Sequence, residues 1–366
     1  MIKVIRGKLK AVNMLSLLIL TMLSIRLIIL PRDIIEHAKC DAWISIIVVG
    51  IISYISAYIF YSISMKYPKL NFAEISTKVL GAFLGKISIL IITIYTMTAI
   101  GLFLRLFSES IKTFLEETPS IVVIIVLICA CSYCLIKGIK TISIIYDILL
   151  PGVLVIIVTI LFMTYKNAEF KNLLPCLHNG FRPVISGSLH AIQPALGCGI
   201  ISYIMPYFEE AKETKKWMNV AVAVAIFVYL LLIIMSLAVL DVMEIQQLNF
   251  PTISLAKTIE MREEIFERTE SFFMAAWIPN AFTTIVTFYI ITTLNIKELF
   301  NVKKSSGINK IILLQTPFFV TIALLPRNVP KLNEYLILSN KVAAYLNLGY
   351  LPVFFLIVLM KGKGAG

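Results

Sequence analysis

Runs of apolar residues separated by short polar segments are the dominant pattern along the chain. A hydrocarbon core of about 30 Å is crossed by about 20 helical residues, so apolar length and flanking charge together define candidate spans. The pattern predicts an all-α integral membrane protein of ten transmembrane helices. They cover residues 11–30, 43–63, 87–104, 121–136, 142–163, 184–205, 220–240, 272–294, 311–325 and 342–359.

Three connections between these spans are too long to be turns. Residues 65–86 contain Tyr67-Pro68, which stops a helix, and then a short amphipathic helix over 72–80 that we expect at the membrane surface. Residues 241–271 hold seven acids. Within them Pro251 takes a favoured first helical position, so we expect a helix over 251–263 that covers the bundle as a lid. Residues 165–183 divide the spans into two sets of five.

The sixth predicted span contains an unusual density of helix breakers. Gly187, Pro194, Gly197 and Gly199 all fall within it, and proline and glycine free backbone groups that can point into a cavity. Many secondary carriers consist of two inverted repeats with broken helices around a mid-membrane site. We therefore predict one transmembrane domain over 1–366, with five-helix repeats over 11–165 and 183–360 and an outer lid segment over 241–271.

Composition and charge support a membrane protein and exclude other classes. Hydrophobic residues make up 59% of the chain, charged residues 15%, and the mean hydropathy is +0.91, which is too apolar for a soluble domain. Alternate connections together with the termini hold 19 Lys/Arg against 5 Asp/Glu, whereas the other connections hold 13 against 15. This bias places both termini in the cytoplasm. The basic residues form no stripe that would bind nucleic acid.

Enzyme chemistry and metal binding have no support in the sequence. We find no Gly-rich phosphate loop and no nucleophile beside a histidine and an acid, so we expect no enzyme, no cofactor and no metal. Cys129, Cys131 and Cys134 lie in one apolar run and are expected to pack rather than bind metal. Cys40 and Cys176 both map to the outer side, so a disulfide between them is one alternative, but no spacing pattern supports it. The basic start and long first apolar run predict a retained first helix, not a removed signal peptide.

Several short motifs, in their order and spacing, resemble the endospore germination permeases, the membrane B subunits of spore germinant receptors, which belong to the amino acid/polyamine/organocation superfamily. The resemblance runs nearly end to end. The residues that carry it are Pro31 as a stop after the first span, Trp43, Tyr67-Pro68, Glu74, Leu80-Gly81, Thr118-Pro119, Lys137-Gly138-Ile139, Phe250-Pro251, the segment 266–270 and Trp277.

The resemblance implies a LeuT-type 5+5 inverted repeat with broken first and sixth helices. It also implies recognition of a small germinant, usually an amino acid, in a complex with A and C receptor subunits. Such proteins have a glycine-containing break in the first span, whereas this chain reads Leu23-Ser24-Ile25-Arg26-Leu27 there. The missing glycine and the added charge of Arg26 lead us to expect a different ligand preference.

Arg26 is the sharpest candidate in the first span, since an arginine near the middle of a span costs from about 2.5 kcal/mol upward and is rarely left facing lipid. In one hypothesis, the Arg26 side chain binds the carboxylate of an amino acid or pairs with Asp147. In the other, it snorkels outward beside Pro31. Asp147 itself is read as a coupling-ion ligand, as a partner of Lys140 or Arg26, or as a residue beside the Pro151 kink.

The other candidate ligand contacts are polar residues on four predicted spans. His190 is read as a proton-linked switch or a hydrogen-bonded packing residue, and Gln193 and Ser186 as contacts to a zwitterion or to a neighbouring helix. On the third and eighth spans, threonines that bond back to their own helix are an equal alternative. The full predicted substrate-binding set is Ser24, Ile25, Arg26, Tyr95, Thr98, Ser186, Gly187, His190, Gln193, Asn280, Thr283, Thr284 and Thr287.

Three functional hypotheses follow. The first is a ligand-sensing receptor subunit in the spore inner membrane or cell membrane, in which a small amino acid settles between the first and sixth spans and favours one packing of the bundle. The second is a proton- or sodium-coupled amino acid transporter. The third, a scaffold without ligand, does not account for the breakers and polar groups in 184–205. The cluster of Glu267, Arg268 and Glu270 is expected to be structural or to face a partner.

Overall fold

The computed structural model describes residues 8–259 and 269–361, and their regular secondary structure is helical, apart from an isolated β-bridge between Leu9 and Phe208. The helices of the first half are α1 (Asn13–Leu23), α2 (Leu30–Ala38), α3 (Ala42–Lys66), α4 (Phe72–Leu80), α5 (Ala82–Lys112), α6 (Ser120–Lys137) and α7 (Ile139–Met163). Those of the second half are α8 (Arg182–His190), α9 (Gln193–Gly197), α10 (Ile200–Ile204), α11 (Thr214–Gln247), α12 (Pro251–Lys257), α13 (Thr269–Leu299), α14 (Ser305–Leu324), α15 (Val329–Ala344) and α16 (Leu351–Lys361).

The count of ten spans is not confirmed. In the described residues, eight helices are long and apolar enough to cross a membrane, or nine when the bent pair α8 and α9–α10 counts as one span. The first predicted span, 11–30, is the missing one, because it breaks at Ser24 and leaves α1 with 11 residues. Its second half, α2, continues into α3 through a short 3₁₀ turn (Lys39–Asp41). Pro31 was expected to stop the first span, and this is wrong: it lies in the first turn of α2, where proline is tolerated.

α1 forms the centre of the bundle. Nine of its 11 residues are buried, and α11, α7, α9 and α13 surround it. Around this core, α5 packs against both α13 and α14. Gly101 allows α5 to lie close to α14, because a Cβ at this position would lie 2.4 Å from the Ile322 side chain. Large apolar side chains such as Ile94 and Phe162 cover the outer surfaces of the helices, as is expected where helices face lipid.

α4 confirms the short helix expected over 72–80. Asn71 caps it in a capping box with Glu74, and its apolar face buries Phe72, Ile75 and Val79. Contacts at both ends fasten it: Lys297 Nζ bonds Glu74 at 3.0 Å, and Lys361 Nζ donates to the Val79 carbonyl at 2.6 Å. α4 therefore closes the end of the bundle near the C-terminal helix, here called the terminal face.

The N-terminal segment is fastened at the same face. The Leu9 amide donates to the Tyr207 carbonyl at 2.8 Å, and the Glu209 amide donates to the Leu9 carbonyl at 3.0 Å. These two bonds link the chain before α1 to the chain after α10. Backbone hydrogen bonds thus connect the start of the broken first span to the end of the broken sixth span.

Of the expected lid over 251–263, the structure describes α12 and two further residues, and residues 260–263 lie outside the described part. α12 packs on α11, α13 and α2, so this piece does lie against the bundle. In the cluster at the start of the eighth span, Glu267 and Arg268 also lie outside the described residues. Glu270 belongs to α13, and its side chain is not described.

Candidate functional site

The first span unwinds where the sequence reads Leu23-Ser24-Ile25. Ser24 takes φ 46° and ψ 149°, and a 3₁₀ turn (Ile25–Ile28) follows before α2 begins. Four carbonyl oxygens around this break accept hydrogen bonds from side chains of α11, α12 and α13. The pairs are Tyr229 Oη to Met22 at 2.7 Å, Asn280 Nδ2 to Ser24 at 3.1 Å, Trp277 Nε1 to Ile25 at 3.1 Å and Thr252 Oγ1 to Leu27 at 2.8 Å.

These four hydrogen bonds occupy backbone carbonyls at the break that would otherwise be available to a ligand. Buried backbone carbonyls need partners, and here the protein itself supplies them from three helices. Serine replaces the expected glycine, yet the break forms, because the surrounding side chains hold the unwound backbone. The carbonyls of Ser24 and Ile25 are occupied in this arrangement, and a ligand has to displace a side chain to reach them.

Arg26 lies inside the protein, with its side chain 4% exposed. Its Nη2 donates to Asp33 Oδ2 at 2.5 Å, and its Nη1 donates to Asn340 Oδ1 and, at 3.4 Å, to the Leu336 carbonyl. The snorkelling interpretation is therefore wrong, and so is the pairing with Asp147. The guanidinium is neutralised by an acid of its own span, seven residues later.

The sixth span is interrupted twice. α8 ends at His190, α9 begins at Gln193 with Pro194 in its first turn, and α10 begins after Gly199. The axis bends by 43° between α8 and the following segment. The predicted interruption within 187–199 is thus present. Its position follows from Pro194, which has no backbone N–H to donate to the carbonyl four residues earlier, so the helix cannot continue through it.

Asn340 of α15 joins the two broken spans. Its Oδ1 accepts from Arg26, and its Nδ2 donates to the His190 carbonyl at 2.7 Å. The His190 ring in turn stacks on His37 of α2, with ring centroids 3.7 Å apart. Both histidines direct Nδ1 at a carbonyl one turn earlier on their own helix. His190 therefore packs α8 against α2.

A central cavity lies between α3, α4, α5, the second break of the sixth span, α13 and the segment before α16. Its volume is about 60 Å³, and its polar lining comes from Tyr95, Thr96, Tyr203, Asn347 and Tyr350. A water occupies about 15 Å³ on this measure, so about four waters fit. Arg26 is not part of this lining, so the cavity does not face Arg26 as expected; it lies nearer the terminal face, at Gly199.

The cavity is mostly apolar, yet several polar atoms around it lack partners. Tyr95 Oη lies next to Gln193 and Ser339, but completes no hydrogen bond with either. Both amide atoms of Gln193 and Nδ2 of Asn347 are likewise buried without a partner in the described residues. Unpaired buried polar groups cost about 1–3 kcal/mol each. Such a cluster is typical of a place where a polar ligand or water completes the bonding.

The cavity also borders a helix segment of unusual geometry. Residues Tyr345–Tyr350 form a π-helical turn between α15 and α16, and Asn347 and Tyr350 point from it into the cavity. π turns occur often at functional sites. The Ser56 hydroxyl bonds Asn347 Oδ1 at 2.8 Å, which holds one end of the amide and leaves Nδ2 for the cavity.

The predicted substrate-binding residues separate into distinct groups. Tyr95 lines the cavity and Gln193 lies beside it. Ser186 and Gly187 lie where α8 packs tightly: a Cβ on Gly187 would be 2.9 Å from Ala38 and from Ser45, and the Ser186 carbonyl accepts from His190. Thr98 bonds back to its own helix and faces an open groove of about 510 Å³ between α5, α14 and α15. The groove also touches Tyr95.

The predicted residues of the eighth span, α13, make structural contacts, and none of them belongs to the lining of the central cavity. Thr283 and Thr284 both donate to the Asn280 carbonyl, as the back-bonding alternative predicts. Thr287 bonds Thr21 of α1 at 2.9 Å and the Tyr146 hydroxyl at 2.8 Å. These residues tie α13 to the first and fifth spans.

Sequence reasoning missed Asn340 and Asn347. They stand seven residues apart, two helical turns, with Asn340 just before and Asn347 inside the last predicted span (342–359), and both are buried. Polar amides on one face of an apolar span were the signal that would have found them. Among the cysteines, Cys40 and Cys176 are both free thiols. In the described part of the chain, no group of three or more His, Cys, Asp or Glu side chains is placed to hold a metal ion.

Comparison with known proteins identifies relatives over nearly the whole chain. A family model described as "Spore germination protein" matches residues 8–331. Spore germination protein YndE of Bacillus subtilis is 30% identical over 345 residues, which cover 92% of each chain. Spore germination protein A2 of the same organism is 27% identical over 97% of each chain.

Solved structures of transporters have the same fold. Mhp1, a nucleobase-cation-symport-1 family transporter, aligns with a TM-score of 0.70 at 11% identity, over 93% of this chain and 77% of that one. MhsT in complex with L-phenylalanine aligns at 0.66 and 12% identity over 98% and 100%. The manganese transporter of Eremococcus coleocola aligns at 0.68 and 14% identity over 95% and 78%. The fold is thus the LeuT type with broken first and sixth helices, and the chain belongs to the spore germination protein family of integral membrane permeases.

Proposed function

We propose that this chain is the membrane subunit of a spore germinant receptor and that it binds a small nutrient germinant, an amino acid, in the central cavity. The observation that carries the proposal is the set of unpartnered polar atoms at Tyr95 and Asn347 in a mostly apolar lining, with unpartnered Gln193 beside it. A hydroxyl and two amides provide both donors and acceptors, which suits the ammonium and carboxylate of a zwitterion. MhsT, which has the same fold and was solved in complex with L-phenylalanine, supports an amino acid as the ligand.

The size of the cavity implies a signalling step. With about 60 Å³, the cavity accommodates waters but no amino acid, so binding requires the wall to move. The π-helical turn and the second break of the sixth span are the wall elements with irregular backbone. A ligand that binds the expanded arrangement better shifts the population toward it. We propose that A and C receptor subunits read this shift, with the chain in the spore inner membrane, both termini cytoplasmic, and no catalytic step.

A coupled amino acid transporter is the second candidate, and the fold likeness to Mhp1 and MhsT favours it. Reconstitution into liposomes separates the two. Saturable binding of a labelled amino acid without uptake supports the receptor, and uptake against a gradient supports the carrier. Absence of both, across the common amino acids, contradicts the proposal.

Two variants test the place of binding. Tyr95→Phe removes only the hydroxyl, so we expect about five- to tenfold weaker binding, the loss of one hydrogen bond worth about 1 kcal/mol. Thr98→Val is the matched control, because its hydroxyl bonds back to its own helix outside the cavity. Equal affinity in Tyr95→Phe and the parent would show that the ligand lies elsewhere.

A further inference from the structure

Asn347 combines deep burial with an unused hydrogen-bond donor. It belongs to the π-helical turn Tyr345–Tyr350, it lines the central cavity, and it is 2% exposed. Its Nδ2 is buried and has no hydrogen-bond partner among the described residues. Leaving a buried donor unpaired is costly, so an unpaired amide on a cavity wall indicates the place of an acceptor on a ligand.

Ser56 of α3 determines which end of this amide faces the cavity. The Ser56 hydroxyl donates to Asn347 Oδ1 at 2.8 Å, and Ser56 is itself 3% exposed. Because Oδ1 is held by α3, Nδ2 is the end that remains for the cavity. An amide has an acceptor at one end and two donors at the other. The contact with Ser56 therefore gives the Asn347 side chain a defined polarity.

The Ser56 hydroxyl has a second acceptor, the Ile52 carbonyl one turn earlier, also at 2.8 Å. One proton cannot serve both acceptors. If the proton went to Ile52, the amide would reverse, donate Nδ2 to the Ser56 oxygen and turn Oδ1 toward the cavity. The Ile52 carbonyl already accepts a backbone N–H within α3, whereas Asn347 Oδ1 has Ser56 as its donor. The proton therefore stabilises the protein more when it is directed at Asn347.

The rest of the cavity lining makes this donor valuable to an amino acid. The described residues that line the cavity include no lysine, arginine or histidine, so a carboxylate there depends on neutral N–H and O–H donors. An ammonium group has more choice, because the aromatic rings of Phe60, Phe72 and Phe288 line the same cavity and aromatic faces attract cations. The scarce partner for a zwitterion is thus a donor for its carboxylate.

We propose that Asn347 Nδ2 binds the carboxylate of the germinant and that Ser56 is the positioning residue for Asn347. The inference rests on the proposed function, and it names the end of the ligand that the last span recognises. A charged acceptor makes a stronger hydrogen bond than a neutral one, so the site selects amino acids with a free carboxylate. The bond also joins the ligand to the π-helical turn, one of the wall elements that has to move.

The test uses the common L-amino acids and their carboxamides as probes. A carboxamide keeps the side chain and the ammonium but loses the negative charge. Equilibrium binding is measured to the full-length protein in nanodiscs at about pH 6, where both probes carry the ammonium. Selectivity is the dissociation constant of the carboxamide divided by that of its amino acid. For the amino acid that the parent binds most tightly, we expect a selectivity of about ten or more.

Asn347→Leu removes the donor and roughly preserves the volume, and Ser56 keeps the Ile52 carbonyl as an acceptor. We expect it to weaken amino acid binding about tenfold and carboxamide binding much less, so that the selectivity falls toward one. Loss of a contact to the ammonium would instead weaken both probes alike. The ratio therefore distinguishes the two ends of the ligand.

Ser56→Ala tests the positioning role. The Asn347 donor remains, but its amide is released to turn Oδ1 toward the cavity, so we expect the selectivity to fall about three- to fivefold. A general loosening of the cavity would weaken both probes and leave the ratio unchanged. Ser110→Ala is the matched control, because Ser110 is a buried serine of α5 whose hydroxyl bonds back to the Leu106 carbonyl at 2.8 Å. It should keep the selectivity of the parent.

Three results overturn the proposal. They are a parent that binds both probes equally, an Asn347→Leu variant that weakens both to the same extent, and a Ser56→Ala variant with the selectivity of the parent. If Asn347→Leu fails to fold, Ser56→Ala decides, since alanine is well tolerated inside a helix. A parent that binds no amino acid contradicts the proposed function itself, whereas binding with unchanged selectivity in both variants contradicts only the roles of Asn347 and Ser56.

Discussion

The buried pair of Arg26 and Asp33 allows a quantitative prediction. The two side chains are 4% and 11% exposed and meet at 2.5 Å. Asp33→Asn keeps the shape and one acceptor oxygen but leaves the guanidinium charge unneutralised inside the bundle. Removing one partner of a buried pair typically costs about 3–5 kcal/mol. Because Asn340 and Leu336 still accept from Arg26, we expect the lower end, about 3 kcal/mol.

The double variant Arg26→Gln/Asp33→Asn separates charge burial from the loss of contacts. With both charges gone, only neutral hydrogen bonds are lost, at about 1 kcal/mol each. We therefore expect the double variant to be more stable than Asp33→Asn alone by about 1–2 kcal/mol. The assay is reversible unfolding in mixed micelles, followed by intrinsic fluorescence, for the parent, both single variants and the double variant.

Two results would refute this reasoning. The first is an Asp33→Asn variant as stable as the parent, which means that the guanidinium does not depend on Asp33. The second is a stable double variant that no longer binds germinant, because the structure places Arg26 outside the cavity lining. That outcome restores the carboxylate-binding role for Arg26.

Three further predictions concern single residues. Asn340→Ala removes the amide that bridges both broken spans; we expect a loss of about 2 kcal/mol in unfolding free energy and an altered germinant response, measured by unfolding and by germination of spores carrying the variant. Gly101→Ala places a Cβ 2.4 Å from Ile322 and should cost about 1–3 kcal/mol in the same unfolding assay. Gly152→Ala, with nothing within 4 Å of the new Cβ, should be neutral or stabilising, and a destabilisation equal to that of Gly101→Ala would contradict the packing argument.

Local features of the chain predicted the fold class well. The short helix over 72–80 is confirmed at Phe72–Leu80, because capping and amphipathic spacing act within one turn. The interruption of the sixth span is confirmed for the same reason, because Pro194 disrupts the helix whatever the surrounding tertiary structure. The count of ten is not confirmed, because the predicted first span over 11–30 breaks at Ser24 and leaves α1 with 11 residues.

The candidate site was only partly predictable. Tyr95 and Gln193 were singled out, and the structure brings them together beside the cavity. Arg26, His190 and the α13 threonines were expected in the same hollow, but their side chains bond or pack within their own or neighbouring helices instead. A polar residue in an apolar span indicates that its side chain needs a hydrogen-bond or charge partner. Its sequence context does not say whether that partner is a ligand or another helix.

The sequence by itself determined that the chain spans a membrane, which stretches form its long helices, and where the sixth helix breaks. These properties depend on neighbours within a few residues, through hydropathy, capping and backbone geometry. Only the tertiary structure decided that Asp33 neutralises Arg26 while Asn340 accepts from it, that the cavity lies at Gly199 and Asn347, and that Asp147 faces Ser16. Those pairings join residues up to 314 positions apart, and they depend on which helix faces meet when the bundle packs.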